Sequence, residues 1–145
     1  MIITRKEIPF VNLKDKVVGI TSGCFDLFHF YHLRYLERCK ALCDFLIVGV
    51  DSDLLVFENK KKFPVIPEHH RMEIVNALEC VGATFRMDNI DDIKKFYGIS
   101  NKVFKNSSTI YGKDVLLEPH IELVIVPDIE EVYSTTGLID KIKNG

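Results

Sequence analysis

Two short apolar runs, residues 17–21 and 45–50, carry no charged side chain. Strands of that kind are covered on both faces, the condition of a parallel sheet flanked by helices. Between them Leu33, Leu36, Cys39 or Lys40, and Cys43 recur at helical intervals. Strand, helix and strand in that order make a crossover unit, and two parallel neighbours require one. The alternation then repeats. Glu68 opens a helix expected to run to about Cys80, with Ile74, Ala77, Leu78 and Val81 inward and Gly82 to stop it. A short helical turn is expected over 54–57 and a strand over 83–86, and Asn89 is placed to cap a further helix. Val103 and Phe104 form a short strand, and residues 121–126 a last one that Pro127 ends. An amphipathic helix over 137–142 closes the chain. The expected fold is one doubly wound α/β domain over residues 1–145, with residues 1–16 as an arm against the sheet edge.

At 145 residues a second core has no room, and 19 basic against 21 acidic side chains leave nothing that advertises nucleic acid or an acidic membrane surface. No apolar run approaches the length of a membrane span, and residues 1–6 lack the apolar core of a signal peptide. The expected compartment is the cytoplasm. Cys24, Cys39, Cys43 and Cys80 show no C-x-x-C spacing and read as small hydrophobes in a reducing environment.

The first strand leads into Gly23, Cys24, Phe25, Asp26, Leu27, Phe28, His29, Phe30, Tyr31 and His32. A strand that turns through small residues into a helix presents free backbone N–H groups and the positive end of the helix dipole. That is a phosphate-handling layout, and His29 and His32, three apart, add imidazole donors on one side of the turn. The second strand ends in Asp51, Ser52 and Asp53, at the edge where ligands sit in open α/β sheets. Lys60, Lys61 and Lys62 serve either solubility or, beside a phosphate site, as charge clamps. Ser134, Thr135 and Thr136 either cap the last helix or hold a phosphate. Arg34, Glu37 and Arg38 fall on the side of their helix expected to face solvent.

The run from Gly23 to His32 resembles the Gly-x-Phe-Asp-x-x-His-x-Gly-His signature of the cytidylyltransferase-like nucleotidyltransferases, with Tyr31 where that pattern has glycine. Three further blocks match in order: Asp51-Ser52-Asp53, Pro64-Val65-Ile66-Pro67 through Arg71 and Met72, and Ser134-Thr135-Thr136. The resemblance implies a Rossmann-like domain that transfers a nucleotidyl group, AMP or CMP, from a nucleoside triphosphate to a phosphorylated sugar or small alcohol, releasing pyrophosphate. The block holding Arg71 leans towards the adenylyl type. By the same resemblance His29, His32, Arg71 and Lys60 are the catalytic set. Gly23, Cys24, Phe25, Asp26, Tyr31, Lys40, Asp53, Ser134, Thr135 and Thr136 would line the nucleotide. It further implies Mg²⁺ bridging phosphate oxygens with few protein ligands, and a homodimer.

Three departures bear on activity. Tyr31 turns away, stacks on a base, or obstructs the pocket. Lys105 is followed by Asn106-Ser107-Ser108, where the sugar-phosphate enzymes carry Gly-Gly-Asp. Glu130 and Glu131 stand where a phosphate clamp is expected. The alternative to transfer is a nucleotide-binding protein of the same fold that has lost efficient catalysis.

Overall fold

The structure, a computed structural model, describes residues 1–4, 7, 12–106, 118–127 and 134–145. Ser107, Ser108, Glu130 and Glu131, singled out above, lie outside these residues.

Five strands form one parallel sheet in the order β3-β2-β1-β4-β5: β1 (Val18–Gly23), β2 (Phe45–Asp51), β3 (Ala83–Met87), β4 (Lys102–Asn106) and β5 (Glu122–Val126). The two charge-free runs became the central pair, and their register brings Ile20 beside Ile47 and Gly23 beside Val50. The chain leaves β1 on one side towards β2 and returns on the other as β4. The crevice at that reversal opens above the carboxyl ends of β1 and β4, where doubly wound sheets bind ligands.

Side-chain alternation divides the core in two. Ile20, Ile47, Phe85 and Val103 pack with Ile93 and Phe96 of a 3-10 helix (Ile90–Ile99) on one face. On the other, Leu46, Val48, Val50 and Phe104 meet Leu36 and Cys39 of α1 (Phe30–Lys40) and Met72 and Val75 of α3 (Glu68–Asn76). The helix over 54–57 is longer than expected. It is α2 (Asp53–Lys60), begun by the Ser52 hydroxyl accepting from Leu55 N–H and ended by Lys61 at φ 59°. Ile2 bridges Thr84 at the free edge of β3.

The inner face of α3 corrects the stripe expected from spacing. Arg71, Met72 and Val75 are buried, whereas Ile74 and Ala77 are exposed. Leu78 and Val81 pack inward as expected, and three acceptors in the interior hold Arg71 on the buried face.

Candidate active site

The β1–α1 turn is held in a conformation that few side chains adopt freely. Phe25 and Leu27 have φ of 54° and 46°, in the left-handed region. Asp26 between them is buried, and its carboxylate accepts N–H groups from Leu27, Val65 and Ile66 at 3.1, 2.8 and 2.9 Å. Arg71 closes the same knot. Its guanidinium donates to Cys24 O at 2.6 Å, Ile66 O at 2.8 Å and Asp53 Oδ1 at 2.9 Å. An aspartate and an arginine thereby tie the β1–α1 turn to the loop before α3. The surface ion pairs open to Arg71, with Glu68 or Glu79, do not form among the described residues; Asp53 takes it.

His29 and His32 cap α1 reciprocally. Tyr31 N–H donates to His29 Nδ1 at 3.3 Å, and His29 N–H donates to His32 Nδ1 at 3.2 Å. The rings stack with centroids 3.8 Å apart. With each Nδ1 accepting, the neutral rings carry their protons on Nε2. His29 Nε2 lies 3.3 Å from Thr135 Oγ1, which donates to Asp26 O at 3.0 Å. Burial, then the neighbouring His29, pushes the His32 pKa down to about 4. The rings of Phe25 and Phe28, 5.8 and 5.3 Å away, contribute that burial. Near neutral pH His32 is an uncharged donor.

His32 lines a cleft of about 250 Å³, whereas His29 does not line it and reaches its wall only through Thr135. Gly23, Cys24, Phe25, Asp26, Tyr31, His32, Lys60 and Thr135 line it, so eight residues singled out by sequence converge on one space. Lys61 and Lys62 do not line it, which separates the three lysines. Arg71 and Asp53 stand behind the wall as a pair. Ser134 caps α4 (Thr135–Asn144) by accepting from Gly137 N–H, and Thr136 is exposed. Lys40 is not brought to the cleft. It lies about 15 Å along α1 from the capped end, beside Glu37, Glu79 and Cys80.

Sequence reasoning missed Ser22, Tyr35, Arg38, Asn106 and Pro127, which complete the lining. Arg38 is exposed as expected, and it also donates to Pro127 O at 3.1 Å at the cleft wall. Tyr35 OH pairs with Thr21 Oγ1 at 2.8 Å. The signal was present as spacing, since residues 31, 35 and 38 share one helix face. No group of three His, Cys, Asp or Glu that could hold a metal occurs among the described residues.

The family model for Cytidylyltransferase-like proteins matches residues 20–143. Curated relatives include the Bifunctional protein HldE of Methylococcus capsulatus, 38% identical over 146 residues, covering 95% of this chain and 30% of that protein. The HldE of Helicobacter pylori strain P12 is 33% identical over 132 residues, covering 90% and 29%. The chain thus spans about three-tenths of the length of these relatives. Among solved structures, the lipopolysaccharide core biosynthesis protein from Thermoplasma volcanium matches with a TM-score of 0.61 at 22% identity, over 80% of this chain and 98% of that one. Pantoate-beta-alanine ligase from Francisella tularensis matches at 0.59 and 11%, over 91% and 68%. These two likenesses concern the fold. With the paired histidines, the Asp26 knot and the cleft at the sheet reversal all in place, and a family model spanning most of its length, this chain belongs to the cytidylyltransferase-like family.

Proposed function

We propose that this protein is a nucleotidyltransferase that moves a nucleotidyl group, AMP in the favoured reading, from a nucleoside triphosphate to a phosphorylated sugar. A phosphate oxygen of the acceptor attacks the α-phosphorus, a new P–O–P linkage forms, and the bond to pyrophosphate breaks. Such transfer needs positioning and charge neutralisation more than covalent chemistry. The observation that carries the reading is His32 at the capped N-terminus of α1, neutral with Nδ1 accepting, lining a cleft that Lys60 also lines, with His29 stacked behind it and joined to the cleft through Thr135. Mg²⁺ would enter as part of the triphosphate substrate and would supply charge neutralisation there. The adenylyl preference rests on the Arg71 block and on the HldE relatives. Pyrophosphate release from ATP and CTP with a panel of sugar phosphates tests it. Turnover with one pair supports the reading, and nucleotide binding without turnover on any pair favours the binding-protein alternative.

Tyr31 decides how well the cleft works. Its ring lines the cleft and meets His29 edge-on, with centroids 6.0 Å apart. We expect it to stack on the base, a contact worth about 1 kcal/mol, so that Tyr31→Gly weakens triphosphate binding severalfold and slows turnover. Glycine near the helix start costs about 1 kcal/mol of stability, and a melting curve separates that effect. A rise in both binding and turnover would identify the ring as an obstruction.

We further propose a cytoplasmic homodimer, as small members of the family commonly pair. Sedimentation at micromolar concentration is expected to give twice the chain mass, and a monomer there refutes the dimer alone.

A further inference from the structure

Two charged side chains at the carboxyl ends of the strands flanking β1, neither of them lining the cleft, are drawn partly out of water. Asp51 ends β2 and Lys105 lies one residue from the end of β4, and both are half-buried. Among the described residues neither head group has a hydrogen bond or an ion pair. Burial raises the Asp51 pKa against the opposing influence of Arg71, Lys60 and Lys105. Burial likewise lowers that of Lys105, with Asp51 acting the other way. A desolvated charge without a direct partner is unfavourable, and proteins keep such groups where a ligand completes them.

The register places both on one face of the sheet. Ile20 pairs with Ile47 and with Val103. Alternation then carries residues 47, 49 and 51 and residues 103 and 105 to the same side. That is the face packed by the 3-10 helix, opposite α1. β1 runs between them, and its residues there, Ser22 and Cys24, line the cleft. The histidines approach from the α1 side of the crevice, while Asp51 and Lys105 stand on the other. Two strand spacings and a stagger of two residues put their backbones about 12 Å apart.

Resting on the proposed transfer reaction, we infer that Asp51 and Lys105 form the acceptor subsite, where Lys105 with Lys60 takes the acceptor's phosphate and the Asp51 carboxylate takes one of its hydroxyls. An ammonium is a donor with no acceptor capacity and an ionised carboxylate is the reverse. One small ligand that satisfies both carries an anion and a hydroxyl some ångströms apart. A phosphorylated polyol or sugar has that chemistry, and a phosphate on an apolar carrier does not.

The test uses binding as well as turnover, so that its failure is distinct from failure of the transferase reading. Titrate the wild-type chain, Lys105→Met, Lys105→Arg and Asp51→Asn with a non-hydrolysable triphosphate analogue, with sugar 1-phosphates including a heptose phosphate, with glycerol 3-phosphate and with methyl phosphate. Lys105→Met is expected to weaken every phosphorylated acceptor at least about tenfold, while Lys105→Arg keeps most of the affinity. Asp51→Asn is expected to weaken the hydroxylated acceptors and leave methyl phosphate unchanged. Triphosphate affinity stays within about twofold throughout, and neither the Asn nor the Met variant melts earlier, since no native partner is lost. Equal loss for triphosphate and acceptor, equal loss of methyl phosphate and sugar phosphate in Asp51→Asn, a wild-type chain that binds no phosphorylated polyol, or earlier melting matched to the loss of binding would each overturn the subsite. A wild-type chain that binds sugar phosphates in this pattern yet releases no pyrophosphate would uphold the subsite and defeat the transferase reading.

Discussion

His32→Ala will release pyrophosphate at least about a hundredfold more slowly than the unchanged chain, the loss seen when one donor to developing charge is removed. The ring is placed for that role by its neighbours. His29 N–H occupies its Nδ1, which leaves the Nε2 proton for the cleft, and packing against Phe25, Phe28 and His29 keeps it neutral. His29→Ala is expected to match it, because His29 Nε2 reaches the same region beside Thr135. Either change also removes half of the reciprocal cap, worth about 1 kcal/mol. A few degrees of lost melting temperature are therefore expected, far too little to account for the rate. Unchanged turnover in both variants would remove the histidines from the mechanism. Loss of stability in proportion to lost turnover would make them structural residues.

The same histidine predicts an acid limit. Folded His32 titrates near 4 where an unperturbed histidine titrates near 6.5, so the folded chain binds fewer protons in that interval. The stability contributed by the neutral ring is fully present above about 6.5 and is lost as the pH falls towards 4. His32→Gln, which has no proton to gain there, is expected to flatten the fall in melting temperature between those limits. An undiminished slope would assign the acid sensitivity to other groups.

Arg71→Met will lower stability by about 3–5 kcal/mol, the cost of removing one partner from a buried pair. The guanidinium is fully buried, and its three bonds join the β1–α1 turn, the loop before α3 and the start of α2. Without it, Cys24 O and Ile66 O lose donors and Asp53 loses its counter-charge. Arg71→Lys is expected to recover little, because a point charge cannot serve three acceptors that a planar fork spans. Urea melts of the three proteins measure the difference. Turnover should fall as well, since Phe25 and Leu27 hold left-handed backbone in a turn that this knot secures. Stability unchanged with triphosphate affinity lost would return Arg71 to the phosphate-binding role that the signature implies.

Arg71 also marks the boundary between what could be read in the chain and what could not. Spacing found α3 and the resemblance singled out Arg71, but neither could show two carbonyls and a carboxylate oxygen converging from elsewhere to bury it behind the cleft. The cleft role of Arg38 was hidden for a related reason, although its exposure was read correctly. It sits on an exposed stretch of α1, and only the end of β5 arriving beside it makes that stretch a cleft wall. Lys40 erred in the opposite direction, since a cation in the right helix was credited to a site at the other end of it.

What the sequence determined by itself are the properties that local periodicity and short-range chemistry control. The two charge-free runs required a sheet covered on both faces, the caps at Ser52, Asn89 and Ser134 set helix starts, and the histidines three apart could meet on one turn. The tertiary structure alone decided which distant groups share an environment. Strand order put Asp51 and Lys105 on one face across β1, and the return of α4 brought Thr135 to His29. Burial then shifted the proton affinities of Asp51 and Lys105. Those outcomes depend on contacts between residues up to 106 positions apart. Periodicity reaches a few residues along the chain, and the energy of a buried charge depends on whatever the fold brings within a few ångströms of it.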